Sequence, residues 1–401
     1  MKNKIALLIT FLLFNSSLFA GESLFGISNK SLGILSVPNS APGMGRSYEI
    51  ASADTNQINY LNFAFWPKIA ITSYSAKFIY KAAQGRDQQV DNYFNSVANF
   101  GGGYLTVPLL KRKLSIGIGV LPVSDMEQRY KEKTADESAT SQLIVKGGLS
   151  RASMNFSYLL KPGLGVGFGY EYSFGKISKT FSFQDTANTY SPLKLYYEYR
   201  MYGHGTVISA FYQPLSELSF GLVFRPAVRI DYRIQADTNS EEVDKSVLKT
   251  LTIPAQFSLG AEYKIYKRWR AGMDFNYQDW KTGYLISGET VGSPFTEYFS
   301  IGGGIERIHS NKLFIPLLEK MDLRAGGFFR RLSQTSTGNP VNEYGASFGF
   351  SLPLQRFRSK IDFAGIIGRR GSLGETDYEE VFYKIGISVS AKEMWFVKLK
   401  D

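Results

Sequence analysis

Between residues 163 and 175 the chain alternates without exception. Leu164, Val166, Phe168, Tyr170, Tyr172 and Phe174 hold one set of positions, and Gly163, Gly165, Gly167, Gly169, Glu171, Ser173 and Gly175 hold the other. Successive side chains of a strand point to opposite faces, so this run writes one large apolar face and one small or polar face. From Leu222 to Ile234 the pattern recurs, with Leu222, Phe224, Val228, Ile230, Tyr232 and Ile234 facing one way and Arg225, Arg229, Asp231 and Arg233 the other. A soluble sandwich buries its apolar face and shows its charges. Many aromatic-rich strands of this kind fit the inverse arrangement, with lipid outside and a polar lumen inside.

Read at period two, the chain predicts about fourteen strands between residues 69 and 391, an even number as in bacterial single-chain barrels. Tight connections at Leu110 to Arg112, Leu160 to Pro162, Gln213 to Glu217, Tyr266 to Lys267 and Leu354 to Arg356 alternate with long ones centred on Arg86, Lys133, Asp185, Glu241, Glu289, Gly338 and Gly374. Short periplasmic turns and longer outer loops follow one another in this way. The connection from His309 to Glu319 is longer than the rule predicts. The expected fold is all-β: a transmembrane antiparallel barrel over residues 68–396, closed so that no strand edge meets lipid unpaired.

The chain opens with Lys2 and Lys4, an apolar run from Ile5 to Phe14, and small residues at Ser16, Ser17 and Ala20. That layout predicts a secretory signal over residues 1–20, with an uncleaved anchor as the alternative. Beyond it no apolar run approaches the roughly 20 residues of a membrane helix, so a membrane-bound mature chain must span as strands. Residues 21–67 carry Phe25, Met44, Tyr48, Ile50, Tyr60, Phe63, Phe65 and Trp66. A disordered leader does not hold so many aromatics, and the segment is read as a hatch folded inside the barrel, against a periplasmic tail. At the other end Trp395 and Phe396 offer an aromatic strand end to the outer-membrane assembly machinery, leaving residues 397–401 as a short periplasmic tail.

Aromatic residues make up 15% of the chain, with 25 Tyr and 30 Phe, which suits strands. The absence of cysteine excludes disulfides, Cys-ligated metal and a lipoprotein anchor. A net charge of +11 would suggest nucleic acid if it were clustered, but the cations fall in turns such as Lys111-Arg112-Lys113, Lys267-Arg268 and Arg369-Arg370 or alternate with apolar residues. His204 and His309 are the only histidines. A His-dependent lipase needs a serine and an orienting group within reach, and His204, between Gly203 and Gly205, reads better as a lone lumen or interface residue than as a partner of Ser209. Neither an enzyme nor a metal or cofactor site is expected. Gly101-Gly102-Gly103 and Gly302-Gly303-Gly304 lie in strand patterns without a following helix and are not phosphate loops. Trp66, Trp269, Trp280 and Trp395 are read as interfacial girdles.

The stretch Pro42-Gly43-Met44-Gly45-Arg46-Ser47-Tyr48, then Ala53-Asp54 and Ile58-Asn59, resembles the hatch of the FadL-type outer-membrane transporters for long-chain fatty acids and other hydrophobic compounds. That family's hatch continues into an Asn-Pro-Ala turn, where this chain has Asn62-Phe63-Ala64. Ser219 to Arg225, Ile253 to Gly260 with Trp269, Asp274 and Trp280, and Leu323 to Gly327 are similar to its strand motifs, and Gly117 to Pro122 resembles PorV-type relatives of the same barrel. The resemblance implies an outer-membrane location in a Gram-negative-type bacterium, with membrane lipid as surroundings. It also implies passive diffusion of a hydrophobic molecule such as a fatty acid: capture at the outer loops, a pocket in the barrel, and release when the hatch moves. Gly43, Gly45, Tyr48, Asp54, Asn59 and Asn62 would then shape the hatch. Arg225 or Arg229 would meet the head group of an amphipathic acid whose tail packs on Phe63 and Phe65, unless Glu171, Glu198, Glu262 and Asp274 neutralise these arginines. The alternative function is a non-transporting barrel that serves as a docking or secretion-system component.

Overall fold

The computed structural model describes residues 32–37, 39–87, 93–126, 128–133, 139–185, 192–238, 241–281, 295–310, 316–336, 338–354, 359–376 and 378–393. The predicted signal (1–20), residues 21–31 of the predicted hatch, and residues 394–401, including Trp395, lie outside them. Fourteen antiparallel strands close into one barrel. They are β1 (Thr72–Asp87), β2 (Tyr93–Leu109), β3 (Leu114–Pro122 continued by Gln128–Lys133), β4 (Ala139–Lys161), β5 (Leu164–Asp185), β6 (Leu193–Tyr212), β7 (Leu218–Arg225 continued by Val228–Thr238), β8 (Glu241–Ile253 continued by Gln256–Tyr266), β9 (Trp269–Asp279), β10 (Glu297–Arg307), β11 (Asp322–Ser336), β12 (Asn339–Leu354), β13 (Ser359–Ser372) and β14 (Tyr378–Glu393). Each run read from the sequence falls on one of these strands. Closure comes from β14 pairing with β1, from Tyr378↔Asp87 to Glu393↔Thr72.

The wall has two zones. On β5 Val166, Phe168, Tyr170, Tyr172 and Phe174 are exposed on the outside, while Gly165, Gly167, Gly169, Glu171 and Ser173 face the lumen. Past Phe174 the outer positions turn polar, with Lys176, Ser178, Thr180 and Ser182, and Ile177 is buried inside. A membrane strand needs about 9 to 11 residues. β9 and β10 have 11 each, whereas β4, β5 and β6 have 23, 22 and 20. The excess stands above the lipid, where water lies outside, and the apolar side chains turn inward. Val145, Leu149, Ile177, Met201, Ile230, Leu251 and Ile253 build an apolar core there with Trp280 and Tyr298.

The switch on β7 and β8 is a break in both strands at one height, which leaves their mutual register unchanged while β7 slips by one residue against β6, from Phe224↔Ile208 to Ile230↔Gly203. Pro226-Ala227 faces Pro254-Ala255, between the pairs Arg225↔Gln256 and Val228↔Ile253. Proline brings no N–H to a ladder, and a slip of one residue sends every later side chain to the other face. Below the slip Phe220 and Phe224 are outside and Arg225 inside; above it Val228, Ile230 and Tyr232 are buried inside and Arg229 and Arg233 are exposed. The common lumen face expected for Arg225, Arg229, Asp231 and Arg233 does not exist. Glu198 is likewise turned to the outer side, beside Lys176 and Arg200.

The same inversion corrects the loops. Arg86, Lys133, Asp185 and Glu241 lie within strands rather than at the centres of long connections, because pairing continues into the upper zone after the lipid-facing pattern ends. The lower connections at Leu110 to Arg112, Leu160 to Pro162, Gln213 to Glu217 and Tyr266 to Lys267 are tight, as read, while Arg356 and the connection centred on Glu289 lie outside the described residues; the longer connection after β10 contains the short helix α2 (Leu317–Lys320). There His309 Nδ1 lies 2.7 Å from Asp322 Oδ1, which also accepts the His309 backbone N–H, and this hydrogen bond raises the imidazole pKa.

Candidate functional site: the filled lumen

Residues 39–69 run through the barrel interior. Helix α1 (Ala41–Arg46) starts at Ser40, whose hydroxyl accepts the Gly43 N–H, with Pro42 in the first turn, and ends at Ser47 in the left-handed region (φ 60°). Gly43 leaves room for Glu49: a Cβ there would sit 2.3 Å from its carboxylate. Glu49 in turn accepts the backbone N–H groups of Ser40 (2.6 Å) and Tyr60 (2.8 Å) and so clasps the two ends of the segment. Burial pushes its pKa up against the pull of those donors. Asn59 accepts the N–H groups of Leu61 and Asn62 and donates to Glu49 O, and Asn62 caps a 3-10 helix (Phe63–Lys68) by accepting the Ala64 N–H. Asn62-Phe63-Ala64 thus makes a turn from an asparagine cap. Asp54 accepts the Asn56 N–H in a local turn.

The wall meets this segment on many sides. Arg46 donates to Glu306 of β10 (2.5 Å), which also binds Arg324 of β11 (2.7 Å), and all three side chains are fully buried. Arg324 reaches Asp322 and Asp362 as well. Asp274 of β9 accepts the N–H groups of Glu49 and Ile50 at 2.5 and 2.9 Å. Ser219 of β7 donates to Ala51 O, Ser209 of β6 accepts the Ala64 N–H, and Ser347 of β12 donates to Gly45 O. Close approach is possible where the wall has no Cβ. Tyr48 lies on Gly272, where a Cβ would come within 2.4 Å of its ring, and Gly45 lies on Gly349. Of the glycines singled out on β5, Gly167 meets Phe63.

Several predicted site residues are thereby separated. Phe65 stacks on Phe211 (4.4 Å between ring centres), and Phe63 packs against Trp66. Arg225 lies inside, 3.2 Å from Glu171, which also binds Arg151. The cavity beside it is about 50 Å³, the scale of a few water molecules rather than an acyl chain. Arg229 is outside, paired with Asp231 at 3.4 Å. Trp66 is buried in the lumen and Trp280 in the upper core, so of the described tryptophans only Trp269 is exposed on the outer face. His204 is also outside, 2.5 Å from the Tyr170 hydroxyl, on the face opposite buried Ser209.

A cavity of about 450 Å³ lies where the wall opens. The β2–β3 ladder runs from Leu109↔Leu114 to Gly103↔Val120 and stops. Ser124–Asp125 then turns inward to pair with Ile34–Leu35, and Asp125 is held by Lys81 (2.9 Å) and Asn99 (2.8 Å). Ile34, Leu35, Ile79, Phe100, Leu332 and Lys77 are among the lining residues. Sequence reasoning missed this opening; Pro122, at the point where β3 breaks, is the signal that marks it.

A closed barrel of fourteen strands with a segment packed through its lumen is the fold of the FadL-type barrels. Among solved structures, a Pseudomonas aeruginosa FadL homologue matches with a TM-score of 0.63 at 11% identity, over 90% of this chain and 99% of its own. The CymD monoaromatic hydrocarbon channel matches at 0.55 and 13% (91% and 99%), and the Ralstonia pickettii toluene transporter TbuX at 0.54 and 12% (90% and 98%). No curated protein sequence matches the chain. The chain belongs to the BamG family, whose family model matches residues 1–400.

Proposed function

We propose that the protein is a closed outer-membrane barrel that docks in outer-membrane protein assembly and passes no solute along its axis. The observation that carries this reading is the lumen itself, filled by residues 39–69 and stitched to the wall by buried ion pairs and hydrogen bonds. Membership of the BamG family supports the association with outer-membrane assembly. The lower rim offers a surface for it: Leu215, Leu317 and Leu318 are exposed at turn tips on the side of the short connections, which is the periplasmic side of such barrels. Photo-cross-linkers placed at Leu215 and Leu317 in intact outer membranes are expected to capture a component of the assembly machinery. Adducts at neither position, in cells that hold the folded barrel, would refute the docking role.

A second reading, lateral passage of a hydrophobic molecule, is favoured by the 450 Å³ cavity at the β2–β3 opening. Fatty acids and monoaromatic hydrocarbons are its candidate solutes. Uptake of either class into proteoliposomes, above that of liposomes without protein, would support this reading over the first.

A further inference from the structure

Directly above the lipid-facing band, the outer surface of β5, β6 and β7 carries a row of cations. Lys176 pairs across the ladder with Arg200, and Arg200 with Arg233. Paired residues share a face, and neighbouring strands lie about 4.8 Å apart, so the three side chains leave the wall at one height within about 10 Å. Lys176 and Arg200 are 55% and 68% exposed, and Arg233 is exposed. The row below holds Phe174, Tyr202 and Asp231, and the next holds Tyr172 and His204. This is the order of groups met on leaving a bilayer: aromatic rings at the boundary, then cations at the level of the head groups.

Among the described residues the local charge is not balanced. Lys176, Arg200 and the nearby Arg229 share two carboxylates: Glu198, 2.6 Å from both Lys176 and Arg200, and Asp231, beside Arg229. Arg233 has no ion-pair partner among the described residues. The one-residue slip of β7 against β6 at Pro226-Ala227 is what brings Arg229 and Arg233 to this surface. Without it they would point into the lumen.

We propose that the Lys176, Arg200 and Arg233 row binds the phosphate groups of a lipid head group in the outer leaflet. Guanidinium groups bind phosphate oxygens in pairs, and a basic cluster at head-group height gains from anionic lipid at each charge. The commitment to lipid rests on height: the row borders the membrane band and points along the membrane plane. It depends on the outer-membrane orientation and is independent of the docking role.

The test uses the full chain in nanodiscs supplied with bis-phosphorylated lipid A or its dephosphorylated form, with bound lipid counted by native mass spectrometry. The wild type is expected to retain the phosphorylated lipid, and the Lys176→Gln/Arg200→Gln/Arg233→Gln variant to bind it roughly a hundredfold more weakly. A Lys267→Gln/Arg268→Gln variant at the opposite rim should behave as wild type. Heat-modifiable gel migration checks that each barrel is folded; should the triple variant fail there, Arg233→Gln alone is expected to lose about fivefold. Equal retention by the wild type and the folded variant, as a protein partner for the row would give, overturns the proposal. So does equal retention of the two lipids by the wild type.

Discussion

Replacing Glu306 by Gln is expected to destabilise the closed barrel by about 3 to 5 kcal/mol, measured by denaturant unfolding in detergent. Glu306 is the single carboxylate between Arg46 of the lumen segment and Arg324 of the wall, and none of the three reaches solvent. Removing its charge leaves Arg46 without its ion pair in a buried site, while Arg324 keeps Asp322 and Asp362. The companion variant is therefore Arg46→Met/Glu306→Gln, which removes the stranded charge too. It is expected to be clearly more stable than Glu306→Gln alone, and the difference reports the coupling between segment and wall. Additive losses in the double variant would mean that the pair does not hold the segment in place.

Phe168→Arg should cost about 2 to 4 kcal/mol, since Phe168 is in the middle of the lipid-facing run of β5 and is 52% exposed there. The matching change at Ser178, on the same strand and the same outer face, is expected to stay within about 0.5 kcal/mol, because that position lies past the point where the outer residues turn polar. The contrast locates the membrane boundary between Phe174 and Lys176. Equal costs at Phe168 and Ser178 would mean that the band extends over both, and that the upper zone is not in water.

The strands were legible because lipid enforces a strict alternation, and a pattern such as Leu164 to Phe174 survives without any knowledge of its neighbours. What alternation cannot reveal is a change of face. Val228, Ile230 and Tyr232 look as good a lipid-facing set as Phe220 and Phe224, yet they point inward, and only Pro226 and Pro254 in otherwise regular strands mark the slip between them. The outward position of Arg229 follows from that slip. Trp66 and Trp280 were misplaced for a related reason: an aromatic ring suits a girdle, a plug or a core equally, and burial decides which. In the lumen, the turn chemistry of Ser40, Asn59 and Asn62 is local and could be read from sequence. The contacts of Arg46 with Glu306 and of Tyr48 with Gly272 join residues more than two hundred positions apart. The glycines on β9, β10 and β11 that accept the segment were visible in the sequence only as strand positions lacking side chains.

The claim on which the rest depends is that residues 39–69 close the barrel, and ion current across a planar bilayer tests it most directly. The wild-type protein should insert without opening a steady pore. Deleting residues 28–52, which removes α1, Arg46 and Tyr48, should leave a folded barrel that conducts freely. A conducting wild type, or a folded deletion variant as silent as the wild type, would contradict the account.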